Sequence, residues 1–111
     1  MEEISIEDFS KAQIKIGKVV SAEEMTDSEK LVKFEVDLGE ERPRVILSGI
    51  KGRISDFRKM VGRLVPVVTN LPARQIMGIS SDGMILYAIG KDGTISALHP
   101  FEDIETGSAV R

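Results

Sequence analysis

The sequence predicts an all-β fold: a five-stranded barrel with a short N-terminal helix, a short helix between its third and fourth strands, and a C-terminal extension. Three observations carry this. Val32, Phe34, Val36 and Leu38 alternate strictly with Lys33, Glu35 and Asp37, the pattern of a strand with one face in a core and one in water. Other runs rich in β-branched residues recur at short intervals, bounded by Gly, Pro or Asp. Only two stretches carry helix-start chemistry, and both are brief.

Ser5-Ile-Glu-Asp8 has the form of a capping box, with Ser5 as N-cap and an acid at the third helical position. Ile6, Phe9 and Ala12 follow at helical spacing, so a helix is expected over about Ile6 to Ala12. From Ile14 the period changes, and Ile14, Ile16, Val19 and Val20 suggest the first strand, with Gly17 as a kink or bulge. The alternating stretch is the second strand. Gly39–Pro43 ("GEERP") makes a turn, and Arg44 to Ser48 is the third strand. Ser55 to Val61 suits one or two helical turns, with Ser55 as N-cap and Gly62 as stop. Leu64 to Thr69 is the next strand, where Pro66 argues for an edge or a bulge. Met84 to Ile89 is an apolar run, "GKDGT" (Gly90–Thr94) a hairpin turn, and Ile95 to Leu98 the return strand, ended by Pro100. This order fits the oligonucleotide/oligosaccharide-binding barrel (OB-fold), one of several small barrels the pattern alone allows.

The 111 residues suit a single domain, with a barrel core of about 14–98 and termini outside it. Cysteine is absent, which excludes disulfides, thiolate metal sites and a Cys nucleophile. The N-terminus is acidic without an apolar core, and no run approaches membrane-spanning length, so the expected location is the cytoplasm with no membrane partner. The net charge of −3 hides an asymmetry: residues 1–41 carry −7, residues 42–91 carry +7, and residues 92–111 carry −3. The basic middle includes Arg42, Arg44, Lys51, Arg53, Arg58, Lys59, Arg63 and Arg74, which can neutralise phosphates. Aromatic platforms for base stacking are few. Tyr87, Phe34 and Phe57 are the candidates, and Phe34 belongs to the core face of its strand, so the pattern suits a reader of backbone and shape.

Catalytic constellations do not emerge. In "GISSDG" (Gly78–Gly83) the second Gly stands three residues after Ser80, where a nucleophile elbow needs two. His99 is the single histidine, and the acids are dispersed among lysines, so no metal or cofactor is expected. "GIKG" (Gly49–Gly52) follows a strand, not the helix that a KH loop requires.

Four stretches in order, "KLVKFEVDLG" (Lys30–Gly39), "RVILSGI" (Arg44–Ile50), "VVTNLPARQIMGISSDGMILYA" (Val67–Ala88) and "GSAVR" (Gly107–Arg111), resemble the tRNA-binding domain family. That domain is appended to many methionyl-tRNA synthetases and also stands alone. The resemblance extends from Ile4 to Arg111, and its ordered N-L-x-P-x-[KR]-x-x-G-x-x-S-x-G-M-I-L core is specific. It implies an OB-fold that binds tRNA by shape in a sequence-independent way, is not an enzyme, and acts in trans for a methionyl-tRNA synthetase. In stand-alone members two barrels pair through their termini.

Carried over residue by residue, the resemblance implies that Lys30 and Arg74 contact phosphate, with Lys33 and Arg44 joining them. Ser81 donates a hydrogen bond, Asn70 fixes the loop, Gly83 permits close backbone approach and Met84 offers a soft apolar contact. Asp82 replaces the usual Gln and sets an anion beside the site. The acidic termini carry Ile6, Phe9, Phe101, Ile104 and Val110, apolar residues outside the barrel pattern that suit a homodimer interface. The alternative is a chaperone-like, peptide-binding protein of the same fold. That branch lacks the Ser-x-Gly-Met signature, present here as "SDGM".

Overall fold

A computed structural model describes all 111 residues. The helix α1 (Ile6–Ser10) is followed by β1 (Ile14–Glu24), β2 (Val32–Asp37), β3 (Arg44–Ser48) and a 3₁₀ turn (Phe57–Met60). Then come β4 (Leu64–Val68), β5 (Arg74–Ile76), β6 (Ile79–Ser81), β7 (Met84–Ile85), β8 (Tyr87–Ile89), β9 (Ile95–Ala97) and β10 (Ala109–Val110). The main sheet runs β3-β2-β1-β4-β7, all antiparallel, with β10 added beside β1. Segment 81–83 returns to the outer edge of β3, where the Asp82 N–H donates to Val45 C=O at 2.8 Å and the Leu47 N–H to Ser81 Oγ at 3.0 Å. The result is a nearly closed, five-stranded barrel of the OB type. No helix is long and apolar enough to cross a membrane.

The alternation expected in β2 is realised in full: Val32, Phe34 and Val36 are wholly buried and Lys33, Glu35 and Asp37 face outward. They join Val19, Leu38, Ile46, Ile50, Val65, Val67, Ile85 and Ile95 in one core. Phe57 and Met60 of the 3₁₀ turn belong to the same core, so this short element stoppers one barrel end. Ser5 caps α1 as expected, its Oγ accepting from the Asp8 N–H at 3.0 Å.

Several local expectations are corrected. α1 ends at Ser10, two residues early. The 3₁₀ turn is capped by Asp56 rather than Ser55, with the Asp56 carboxylate accepting from the Arg58 N–H. The bulge in β1 falls between Val19 and Ser21, not at Gly17. Gly17 is needed for packing: a Cβ there would stand 2.5 Å from Val36 Cγ1 and 2.9 Å from Leu38 Cδ2. Pro66 lies inside the sheet rather than at an edge or bulge. It pairs with Ile16, whose own N–H and C=O bond to Ser108 and Gly107, so no donor from Pro66 is called for on the β1 side. On its other side β7 has already ended, and the Pro66 carbonyl accepts from the Leu86 N–H. Met84 to Ile89 forms two short strands, β7 and β8, instead of one. β8 and β9 make the expected hairpin across Gly90–Thr94. The tail does not leave the barrel altogether, because Ala109 and Val110 pair with Lys15 and Ile14.

The hairpin of β5 and β6 carries no strand signal in the sequence. Its two-residue turn is Met77-Gly78, both at positive φ (51° and 80°), the requirement of the tightest hairpin turns.

Gly17→Ala should destabilise the barrel by about 1–3 kcal/mol, since the added methyl must displace two core side chains. Chemical denaturation of the variant against the parent measures this; equal midpoints would show that Val36 and Leu38 yield freely.

Candidate nucleic-acid interface

The segment after β4 cannot continue as strand, because Asn70-Leu-Pro breaks the pattern. It swings outward, returns as the β5–β6 hairpin, and re-enters the barrel at Gly83. Gly83 has φ +119°, and a Cβ there would meet Val68 O at 3.2 Å and Ile46 Cδ1 at 3.3 Å. Only glycine makes that entry without strain. Between the hairpin and β3 lies a groove of about 320 Å³. Arg74, Ser81, Gly83 and Met84 all line it, together with Leu47, Ser48, Arg53, Ile76 and Tyr87. Four of the eight expected tRNA-contact residues thus converge. Lys33 sits opposite Leu47 in the β2–β3 ladder, on the same outer face of the sheet.

The remaining three lie elsewhere. Arg44 is half-buried and fully engaged: its guanidinium makes two 2.9 Å bonds to the Glu40 carboxylate and donates at 2.7 Å to Thr69 C=O. Those bonds to Glu40, aided by the charge of Asp82 at 3.7 Å, raise its pKa, and they hold the Glu40 carboxyl below its ordinary range. The Asp82 anion is therefore partly offset by Arg44. Asn70 accepts from the Gln13 N–H at 2.8 Å and donates to Lys11 C=O at 2.6 Å, so it fixes the junction of α1 and β1 rather than its own loop. Lys30 is exposed just before β2, with its backbone tied to Ser28 and Lys51.

Within the groove Ser81 Oγ serves as an acceptor, and Tyr87 donates its hydroxyl to Ser48 Oγ at 2.9 Å. Burial pushes the Tyr87 phenol up to about 12, although the bond to Ser48 pulls the other way. Phe34 and Phe57 are buried, which leaves Tyr87 as the groove's one aromatic ring. Arg53 and Ser48 were not singled out as site residues from sequence. Arg53 was visible only as one member of the basic run, and Ser48 carried no signal. No three His, Cys, Asp or Glu residues cluster as a metal site would require.

The basic middle is thinner than its composition. Lys51 and Arg58 both pair with Glu24, at 2.7 and 3.5 Å, and this pairing, led by Lys51, lowers the Glu24 pKa. Arg74 has no carboxylate within ion-pair distance and projects from the exposed hairpin. Of the terminal residues, Ile6, Phe9 and Val110 line a second, mostly apolar groove of about 580 Å³ between α1 and β10. Ile104 and Val110 line a third, and Phe101 is 99% exposed.

A family model described as "Putative tRNA binding domain" matches residues 14–109. A methionine–tRNA ligase of Methanocaldococcus jannaschii is 43% identical over 111 residues, covering 100% of this chain and 17% of that protein. One of Archaeoglobus fulgidus is 45% identical over 109 residues, covering 98% of this chain and 16% of the relative. The chain thus spans about a sixth of those relatives. Among solved structures, a MetRS-related protein from Pyrococcus horikoshii superposes with a TM-score of 0.91 at 32% identity, covering 100% of both chains. The chaperone CsaA of Bacillus anthracis superposes with a TM-score of 0.85 at 24% identity, covering 99% of this chain and 100% of that one, a likeness of fold.

The burial of Tyr87 has a pH consequence. Its folded pKa lies above the ordinary tyrosine value, so the folded state holds the phenolic proton more tightly than the unfolded chain. The associated stability is whole below pH ~10 and falls by roughly 2–3 kcal/mol as pH rises toward ~12. Spectrophotometric titration of this single tyrosine should show a midpoint near the upper value; a midpoint at ~10 would mean that the ring is solvated.

Proposed function

We propose that this chain, which belongs to the tRNA-binding domain family, binds tRNA by the shape of its folded backbone rather than by base sequence, as a non-catalytic module acting in trans for a methionyl-tRNA synthetase in the cytoplasm. The observation that carries this is the groove beside β3: Arg53 and Arg74 are its only charged residues, and no carboxylate lines it. Exposed Lys30 and outward-facing Lys33 extend the same positive character over the β2 side. Arg44 and Asn70 support the site as braces, holding β3, β4 and the hairpin root in place.

A homodimer is the second part of the proposal. Ile6, Phe9, Phe101, Ile104 and Val110 are all exposed in the single chain, and α1 buries none of its residues. An isologous pairing would cover this surface and join two basic faces into one. A second reading, peptide binding, draws on the same apolar groove between α1 and β10 and on the chaperone-like fold neighbour.

The phosphate role is tested by salt. With about four to six phosphate contacts, log K against log salt should slope by roughly −3 to −5. Arg74→Ala should weaken binding and flatten the slope by about 1, whereas Arg44→Ala should chiefly lower the melting temperature. A salt-independent affinity would remove phosphate from the account.

Because β10 pairs with β1, the dimer is tested by substitution and not by truncating the tail. Phe9→Glu combined with Phe101→Glu should turn a sedimenting dimer into a monomer that melts normally and binds tRNA at least ~10-fold more weakly, having lost half its contacts. A parent chain that sediments as a monomer yet binds tRNA tightly would refute the pairing. Retention of unfolded polypeptide by the parent that is lost in the double variant, with tRNA binding absent from both, would favour the second reading.

A further inference from the structure

The groove between β3 and the β5–β6 hairpin holds more than charge. Its walls are apolar, formed by Leu47, Ile76 and Met84, and Met84 is 46% exposed although nothing in the chain covers it. Two further lining hydroxyls, Ser48 and Ser81, are more than nine-tenths buried, at 8% and 6% exposure. Each accepts one hydrogen bond, from Tyr87 and from the Leu47 N–H respectively, and neither donates its own proton to another group of the chain. Arg53 stands nearby with its guanidinium steadied by Gly93 C=O at 3.2 Å.

We propose that this groove receives one unpaired nucleobase of the bound RNA, its faces against Leu47 and Met84 and its edge acceptors, ring nitrogen or keto oxygen, accepting from Ser48 and Ser81, with the flanking phosphates at Arg53 and Arg74. This deepens the tRNA-binding function above and rests on it. Duplex RNA does not fit these features, since its bases are stacked away and it offers phosphates and 2′-hydroxyls at the surface. A bare phosphate leaves the apolar walls without a partner. An extended peptide backbone carries no anion to meet Arg53 and Arg74, the two charged residues of the lining. A splayed base has apolar faces, acceptor-rich edges and an anion on either side, which matches all three sets of groups.

The test separates base contact from phosphate contact by its salt signature. tRNA affinity is measured across salt concentrations for the parent, Ser81→Ala and Met84→Ala, alongside a blunt, fully paired RNA duplex. Each variant should bind tRNA about 3–10-fold more weakly at every salt concentration, the scale of one hydrogen bond or one apolar contact, with an unchanged slope. Duplex binding should be unaffected. Ser81→Ala also leaves the Leu47 N–H without its acceptor, so half-exposed Met84→Ala is the variant that keeps the fold, checked by its melting curve. A slope lowered by about 1, or equal losses on duplex and tRNA, would overturn the base slot and leave tRNA binding standing. Displacement of tRNA from the parent but not from Met84→Ala by a reduced, unfolded polypeptide would overturn it in favour of a peptide. Failure of the parent to bind tRNA at all would overturn both.

Discussion

The edge of β3 is the constraint on which the rest depends. The main sheet ends at β3 on one side and at two-residue β7 on the other, and an open β3 would present unpaired backbone groups to solvent. Val45 C=O and Leu47 N–H are answered by the Asp82 N–H and by Ser81 Oγ. For these to arrive, the chain must pass so close to Val68 at Gly83 that a Cβ there would stand 3.2 Å from Val68 O, in a backbone conformation that L side chains rarely adopt. Arg44 ties the same corner a second time through Thr69 C=O. The segment that closes the barrel is thus also the wall of the groove. The groove cannot widen or shift without exposing the β3 edge, so it is presented to a ligand already formed.

This double duty sorts the polar residues of the long motif. Ser81 and Gly83 serve closure first, through an acceptor and through the absence of a side chain. The side chains of Arg74 and Met84 are not consumed by closure; one has no carboxylate partner and the other is half-exposed beside a cavity. The same sorting applies to charge. Arg44, Lys51 and Arg58 are committed to Glu40 and Glu24, so the field of the basic middle arises from Arg42, Arg53, Lys59, Arg63, Arg74 and Lys91. Arg63 also bonds to the His99 ring, at 3.1 Å. Exposed pairs contribute little stability in any case, so the free cations carry more information about a ligand than the paired ones do about the fold.

Legibility followed burial. β2 could be read residue by residue because one face is wholly in the core and the other is polar and only partly covered. The β5–β6 hairpin was invisible because no apolar residue in it is buried: Ile76 and Ile79 are only partly covered and the one buried side chain is Ser81, so no period-2 hydrophobic signal is written into Arg74–Ser81. Its Met77-Gly78 turn also lacks the Asn-Gly or Asp-Gly pair that marks such hairpins. Asp56 displaced Ser55 as cap because both residues can cap, and adjacent candidates are not separated by propensity. Pro66 read as an edge residue, since sequence cannot show that a neighbouring strand stops one residue short of it. The resemblance pointed to a segment of which Arg74, Ser81, Gly83 and Met84 line one groove, but Arg44 as brace and Arg53 as neighbour depend on which side chains the closure consumes.

Asn70 shows how closely the site and the termini are joined. It opens the long motif, yet both of its polar atoms are spent on Lys11 and Gln13, while Thr69 adds its N–H and hydroxyl to Gln13 C=O. α1 buries none of its own residues, so it is held against the barrel by this clamp and not by a core. On the other flank of β1, β10 pairs with Ile14 and Lys15 and brings Val110 beside Ile6 and Phe9. The apolar terminal surface is therefore built on the first two residues of β1, and its orientation is set by the residue from which the hairpin departs. A twofold pairing through α1 and β10 would inherit that orientation, and the distance between two grooves would be fixed by the Asn70 clamp on each side. A rigid object of defined span would recognise a folded RNA by the spacing of its phosphates, and such a pairing would need neither a base-reading helix nor more than the groove's one aromatic ring.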